Sequence, residues 1–266
     1  MTLALLTDAV TGDAARAVRL TLLWGLEGVA LRTVGGGRVP NVVEGPLRRR
    51  LEDAELPVVA LDPGLFEGAA SARAAWLNDL DALTDLAPFA RRVGCDLVRV
   101  GALASPDGWD AEVASTALRR AGDQAQSLGL RLAVRNEAGS AIATGAALAN
   151  LLESVAHEAV GADWRPSDAL HAGEDPHDGL AALLRGRVPF CIGVRDGRVE
   201  ADGWTETVVG EGDVTWDRQV RALTDAEYEG AFILDAAPPP ARTTGLASAT
   251  ALIQALRTAR RAAASR

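Results

Sequence analysis

An α/β fold, a closed (β/α)8 barrel, is the architecture this chain predicts. Three observations predict it. Short apolar runs alternate with longer amphipathic ones, eight such pairs occur, and they fill 266 residues with no break in composition. Alternation of this kind means parallel strands joined by crossover helices. Eight units in about 250 residues match the size of a closed barrel. The competing arrangement is an open doubly wound sheet. No Gly-x-Gly-x-x-Gly follows the first strand and no P-loop occurs, so a nucleotide cofactor has no motif to support it. Residues 1–266 are expected to form one barrel domain.

The elements follow in order. The first strand is residues 3–6, and a helix over 14–24 follows, with Ala14, Ala17, Val18 and Leu22 near helical period. Residues 28–31 are the second strand and 45–55 its helix. The third strand, 57–61, is punctuated by Asp62-Pro63-Gly64. A helix over 71–93 comes next, with Pro88 expected to kink or divide it. Residues 96–100 and 110–127 supply the fourth pair, and 130–134 and 145–156 the fifth. A weak sixth strand at 160–164 leads to a short helix at 176–184, with Asp175 as its cap and Pro176 in its first turn. The seventh strand is 188–194; a loop then runs to Asp213, and Trp216, Val220 and Leu223 mark the next helix. Residues 231–234 are the eighth strand. The last helix is expected to bury Leu246, Ala249, Leu252, Ile253 and Leu256, which lie at helical spacing. Gly35-Gly36-Gly37 reads as a mobile loop or a flexible turn, and Pro238-Pro239-Pro240 as a stiff connection.

Composition narrows the function. Hydrophobic residues make up 48% and charged residues 24%, the profile of a globular protein. No apolar run approaches the ~20 residues that span a bilayer. The N-terminus lacks a basic region and a cleavage pattern, so no signal peptide, no membrane partner and a cytoplasmic location are expected. A net charge of -9 argues against a nucleic-acid partner. All 27 basic residues are Arg, so no lysine is available as a base or for a Schiff base. Cys95 and Cys191 are far apart in apolar segments and read as reduced, buried thiols. His157, His171 and His177 have no metal-ligand spacing. A homo-oligomer is compatible with all of this.

In such a barrel, chemistry gathers where the strands end. The residues just past each apolar run are Asp8, Arg32, Asp62, Gly101, residues 135–137, residues 165–168, residues 193–196 and Asp235. Opposite charges crowd this set, which makes a credible ligand pocket.

Several of these segments carry a resemblance. Gly28-Val29-Ala30-Leu31-Arg32 is similar to a strand reading Val-Glu-Leu-Arg, and Leu132-Ala133-Val134-Arg135-Asn136-Glu137 to Leu-Ala-Val-Glu-Asn-Glu. Trp164-Arg165-Pro166-Ser167-Asp168-Ala169 is similar to Asp-Pro-Ser-Asn/His-Ala, and Ile192-Gly193-Val194-Arg195-Asp196 to Val-His-Val-Lys-Asp. Val209-Gly210-Glu211-Gly212 matches a Leu-Gly-Glu-Gly loop, and Tyr228 to Asp235 a final Tyr-x-Gly-x-x-x-x-Glu. In order and spacing these pieces resemble the xylose isomerase-like barrels, the superfamily of sugar isomerases, sugar epimerases and endonuclease IV-type enzymes. The resemblance covers nearly the whole chain.

What the resemblance implies is altered by its departures. Family enzymes commonly hold a divalent metal with Glu, Asp, His and Glu on strands five to eight. Those positions fall here on Arg135, Arg165, Gly193 and Asp235, of which only Asp235 can coordinate a cation. Repulsion between unit charges ~4 Å apart is on the order of 4 kcal/mol at an effective dielectric of 20, so no metal site is expected. A two-residue slip would bring Glu137, Asp163 or Asp168 forward instead. Two readings of the arginines stand open. In one, Arg135 and Arg165, with Arg32, Asp168 and Asp196, bind an anionic carbohydrate, and Asp235 or Glu137 acts as base. In the other, they pair internally with Asp235, Glu137, Asp168 or Asp196 in a protein that binds a ligand or a partner without turning it over. Arg32 and Arg99 are read as structural ion pairs. The endonuclease branch is the weakest, because a histidine-rich metal cluster and a basic groove are both missing.

Overall fold

The computed structural model describes residues 1–201, 203–236 and 239–265. Along the chain come β1 (Thr2–Leu6), α1 (Ala14–Leu23), β2 (Gly28–Leu31), β3 (Thr33–Val34), β4 (Gly37–Arg38) and α2 (Glu44–Asp53). They are followed by β5 (Val58–Leu61), α3 (Arg73–Val93), β6 (Leu97–Val100), α4 (Ala111–Leu128), β7 (Arg131–Arg135) and α5 (Gly145–Val155). The rest is β8 (Val160–Trp164), α6 (Pro166–His171), α7 (Pro176–Leu184), β9 (Cys191–Val194), β10 (Asp196–Glu200), β11 (Gly203–Thr207), α8 (Trp216–Asp225), β12 (Ala231–Leu234) and α9 (Ala241–Ala264).

Eight strands close into a parallel barrel in the order β1-β12-β9-β8-β7-β6-β5-β2. Closure is made where β1 lies between β12 and β2, with Leu3 opposite Phe232 and Leu5 opposite both Leu234 and Val29. The open-sheet alternative is thereby excluded. Residues such as Val29, Ala30, Leu31, Val98 and Val134 are wholly buried, because a parallel strand is covered on both faces. Short polar side chains start several helices: Asp13, Asp110, Thr144 and Asp175 accept from the amides of Arg16, Val113, Ala147 and His177. No described helix is long and apolar enough to cross a membrane.

Some expected elements change. Pro88 neither divides nor ends α3, which is helical throughout Arg73–Val93. Thr84, whose carbonyl loses its helical donor to Pro88, is exposed, so water can take the donor's place. The seventh barrel strand begins at Cys191 rather than at residue 188. The expected loop to Asp213 contains an antiparallel hairpin, β10 on β11, pairing Asp196 with Thr207 and Glu200 with Gly203. Gly35-Gly36-Gly37 closes a smaller hairpin, β3 on β4. A short helix, α6, occupies residues read as loop. In α9, Ala249, Leu252 and Leu256 are buried, but Leu246 is 45% exposed and Ile253 is half-buried. The reason is that Gly245 and Ser248, one turn apart, face inward and rotate the stripe. Pro238 lies outside the described residues.

Candidate functional site

The barrel lumen is closed near its C-terminal end by a guanidinium. Arg99, third in the four-residue β6, is fully buried. An arginine there must find carboxylates, because burying an unpaired charge is prohibitively costly. It finds two. Its Nε and Nη2 donate to Asp163 Oδ2 and Oδ1 at 2.9 and 3.2 Å. Its Nη1 and Nη2 donate to Asp235 Oδ1 and Oδ2 at 2.8 and 2.7 Å. Asp163 comes from β8, and Asp235 follows β12, which stands four places round the barrel from β6. The guanidinium therefore spans the lumen. Burial alone would raise the Asp235 carboxyl; Arg99 overrides this and holds it below its ordinary value.

Two further arginines sit above. Arg165 follows β8, and its side chain is 11% exposed. Its Nε lies 3.5 Å from Asp163 Oδ2 and its Nη2 3.8 Å from Asp235 Oδ2, both beyond good hydrogen-bond range. The buried Nε has no hydrogen-bond partner among the described residues. The backbone is held firmly: the Asn136 side chain accepts from Arg165 N–H and donates to Arg165 C=O, each at 2.9 Å. Gly193 makes the room. A Cβ there would stand 2.7 Å from Asp235 Oδ2 and 2.9 Å from Arg165 Cγ, contacts no side chain could keep.

Arg135, the last residue of β7, is 6% exposed. It pairs with Glu67 and, at 3.5 Å, with Asp62, while its Nε is 3.8 Å from Glu137 Oε2. Burial would raise the Asp62 carboxyl; the Arg135 guanidinium, with Arg99 and Arg165 behind it, reverses this and holds it at about 2 against an ordinary 3.8. Beside Arg135 opens a cavity of about 240 Å³ lined by Glu67, Ser105, Arg135, Glu137 and Ser140. The Glu137 side chain is 56% exposed there. A larger groove, about 610 Å³, lies around His157 and Arg187 at the opposite end of the strands, away from this cluster.

Arg135 and Glu137 line the smaller cavity; Arg165 and Asp235, which follow β8 and β12, lie against the Arg99 cluster and do not line it. Three other expected binders are engaged elsewhere. Arg32 Nε donates to both carboxylate oxygens of Asp8, at 2.9 and 3.1 Å. Asp168 accepts from the Ala138 amide at 3.1 Å, fixing the loop beside Glu137. Asp196 is 1% exposed and accepts from the amides of Gly197, Gly210 and Val214. It anchors the hairpin instead of facing a ligand. Sequence reasoning undervalued Arg99, Asp163 and Asn136. The signal was present: a charged residue inside a short, otherwise apolar barrel strand has nowhere to go but the lumen, and β6 and β8 each carry one.

The profile of the xylose isomerase-like TIM barrel family matches residues 18–258. The chain belongs to that family. No curated protein matches it by sequence. Among solved structures it is similar to L-ribulose 3-epimerase, at TM-score 0.78 and 15% identity over 98% of this chain and 96% of that one. It is similar also to the 3-keto-D-glucoside 4-epimerase YcjR from E. coli, at 0.74 and 15% over 97% and 99%. A xylose isomerase-like barrel from Mycobacterium smegmatis, in complex with magnesium, aligns at 0.74 and 15% over 97% of each chain. At these identities the likeness carries the fold.

Proposed function

We propose that this barrel works without a metal and that its ligand is a small anionic carbohydrate, a sugar acid or a sugar phosphate. Arg165 binds the oxyanion and Arg135 assists. The observation that carries this is the Arg165 guanidinium: nearly buried just past β8, ion-paired only at 3.5 and 3.8 Å, with an Nε that makes no hydrogen bond to a described group. Guanidinium groups suit such a ligand because they form paired, charge-assisted hydrogen bonds to oxyanions. The sugar epimerases that share the fold support a carbohydrate, and the arginines its negative charge. The donor set does not fit a divalent ion. Among the described residues no three His, Cys, Asp or Glu side chains are placed to hold one, and the oxygens of Asp163 and Asp235 are already on Arg99.

For turnover, Glu137 is the better base. Asp235 is held ionised with both oxygens engaged, whereas Glu137 is more than half exposed in the mouth cavity. Glu137 would take a proton from the carbon beside a carbonyl. The electron pair moves to the carbonyl oxygen, where Arg165 and Arg135 stabilise the enediolate. Return of the proton from Glu137 to the neighbouring carbon, with a proton passing between the two oxygens, gives the isomer; for the epimer, water delivers a proton to the opposite face and Glu137 releases its own to solvent. One observation favours a second reading, binding without catalysis: Asp62, Asp163 and Asp235 all sit in ion pairs, which leaves few free acid–base groups.

The test is calorimetric titration with sugar acids, sugar phosphates and their neutral parents, followed by turnover assays. Anions are expected to bind and neutral sugars are not. Arg165→Ala should weaken binding at least tenfold, since a hydrogen bond to a charged group contributes about 1.5–3 kcal/mol. Glu137→Gln should bind yet not turn over. Equal affinity for neutral sugars, or an Arg165→Ala protein that binds as well as wild type, rules the proposal out.

A further inference from the structure

We infer that Arg99 is the barrel's resident cation, a guanidinium built into the chain that does the charge-balancing work a bound ion would otherwise do between Asp163 and Asp235. This rests on the metal-free half of the proposed function and not on the identity of the ligand. Two carboxylates from the strands that flank β9 converge, and a positive charge between them offsets their repulsion. Here that charge makes four hydrogen bonds of 2.7 to 3.2 Å, two to each carboxylate, and is wholly shielded from water. Asp62 pairs with Arg135 and Arg38 instead, and Arg165 stands farther out, no closer than 3.5 Å to either carboxylate. The planar fork explains the residue type, because guanidinium can serve two carboxylates at once in fixed geometry. Gly193 completes the arrangement. It is the strand position with no side chain, and a Cβ there would lie 3.3 Å from Arg99 Nη2. Arg99 thereby takes the close hydrogen bonds of both aspartates, and Arg165 keeps only the longer ion pairs to them.

Removing the fork should leave a cation vacancy. Two carboxylates with room for water are a donor set that Mn²⁺ accepts. Wild type, Arg99→Ala and the triple variant Arg99→Ala/Asp163→Asn/Asp235→Asn are to be melted with chelator and with millimolar Mn²⁺, and Mn²⁺ uptake followed by equilibrium dialysis. Wild type is expected to take up no Mn²⁺ and to melt at the same temperature in both buffers. Arg99→Ala should melt roughly 10 °C lower in chelator, and Mn²⁺ should restore at least half of that loss. The triple variant, with its carboxylates neutralised, should melt well above Arg99→Ala and ignore Mn²⁺. If Arg99→Ala does not fold in chelator, its recovery in Mn²⁺ and the folding of the triple variant are the readouts. One Mn²⁺ per wild-type chain overturns the inference. So does an Arg99→Ala protein that Mn²⁺ does not stabilise, or a triple variant no better than the single one. Loss of sugar-acid binding in Arg165→Ala is a separate measurement, so failure of the ligand reading and failure of this inference are told apart.

Discussion

Asp62 shows how the charge at one position governs its neighbours. It is 1% exposed, and its carboxyl sits at about 2 because guanidinium groups outweigh its burial. Its folded value is below its unfolded 3.8, so the stability it contributes is complete above pH ~4 and is lost as the pH falls toward about 2. That contribution is on the order of 2 kcal/mol. Urea unfolding between pH 5 and pH 2 should show this acid limb, and Asp62→Asn should flatten it. Identical limbs in the two proteins would contradict the ion-pair assignment. Such positions were partly legible beforehand. Arg135 ends β7, and Arg165 and Asp235 directly follow β8 and β12, where motif order placed them. Arg99 by sequence alone reads as an ordinary ion pair, because no local pattern says that two aspartates, one from β8 and one past β12, converge on it.

Among the elements, the 196–214 excursion departs most from expectation. Thr205 and Thr207 flank Glu206 in a run bounded by Trp204 and Val208, which is a strand signal, and Val199 sits opposite Trp204. The glycine and acidic content of the stretch masks that signal, because it resembles loop. Asp196 holds the excursion to the barrel through three backbone amides, at 2.8, 2.8 and 3.1 Å. Asp196→Ala leaves those amides without an acceptor and should cost about 1–3 kcal/mol. Hydrogen exchange is expected to quicken over residues 197–214 and to stay unchanged in β6 and β7. Faster exchange across the whole barrel would mean that Asp196 supports the core, not the hairpin. Pro88 teaches the opposite lesson. A residue that should break a helix is carried because its orphaned carbonyl belongs to an exposed residue and the flanking turns pack Leu83, Leu86, Phe89 and Ala90 into the core.

At the scale of the molecule, closure depends on the two ends of the chain meeting. Outside the β1–β12 seam, α9 lies against the end of α1, where Gly245 leaves space for the Trp24 ring, and a Cβ at 245 would collide with that ring. Gly245→Ala is expected to lower stability by about 1–3 kcal/mol through overpacking, read as a lower urea midpoint at unchanged slope. A neutral outcome would mean that α9 can slide without cost. Eight alternating units determined from sequence alone that the strands are parallel, that helices cover them and that the strand ends carry the polar residues. Those properties follow from hydrophobic period and chain length, which are local. What only the tertiary structure decided is which charges meet. Arg99, Asp163 and Asp235 are up to 136 positions apart and become neighbours only when the barrel shuts, and the long-range geometry of that closure sets which guanidinium is saturated and which keeps its donors.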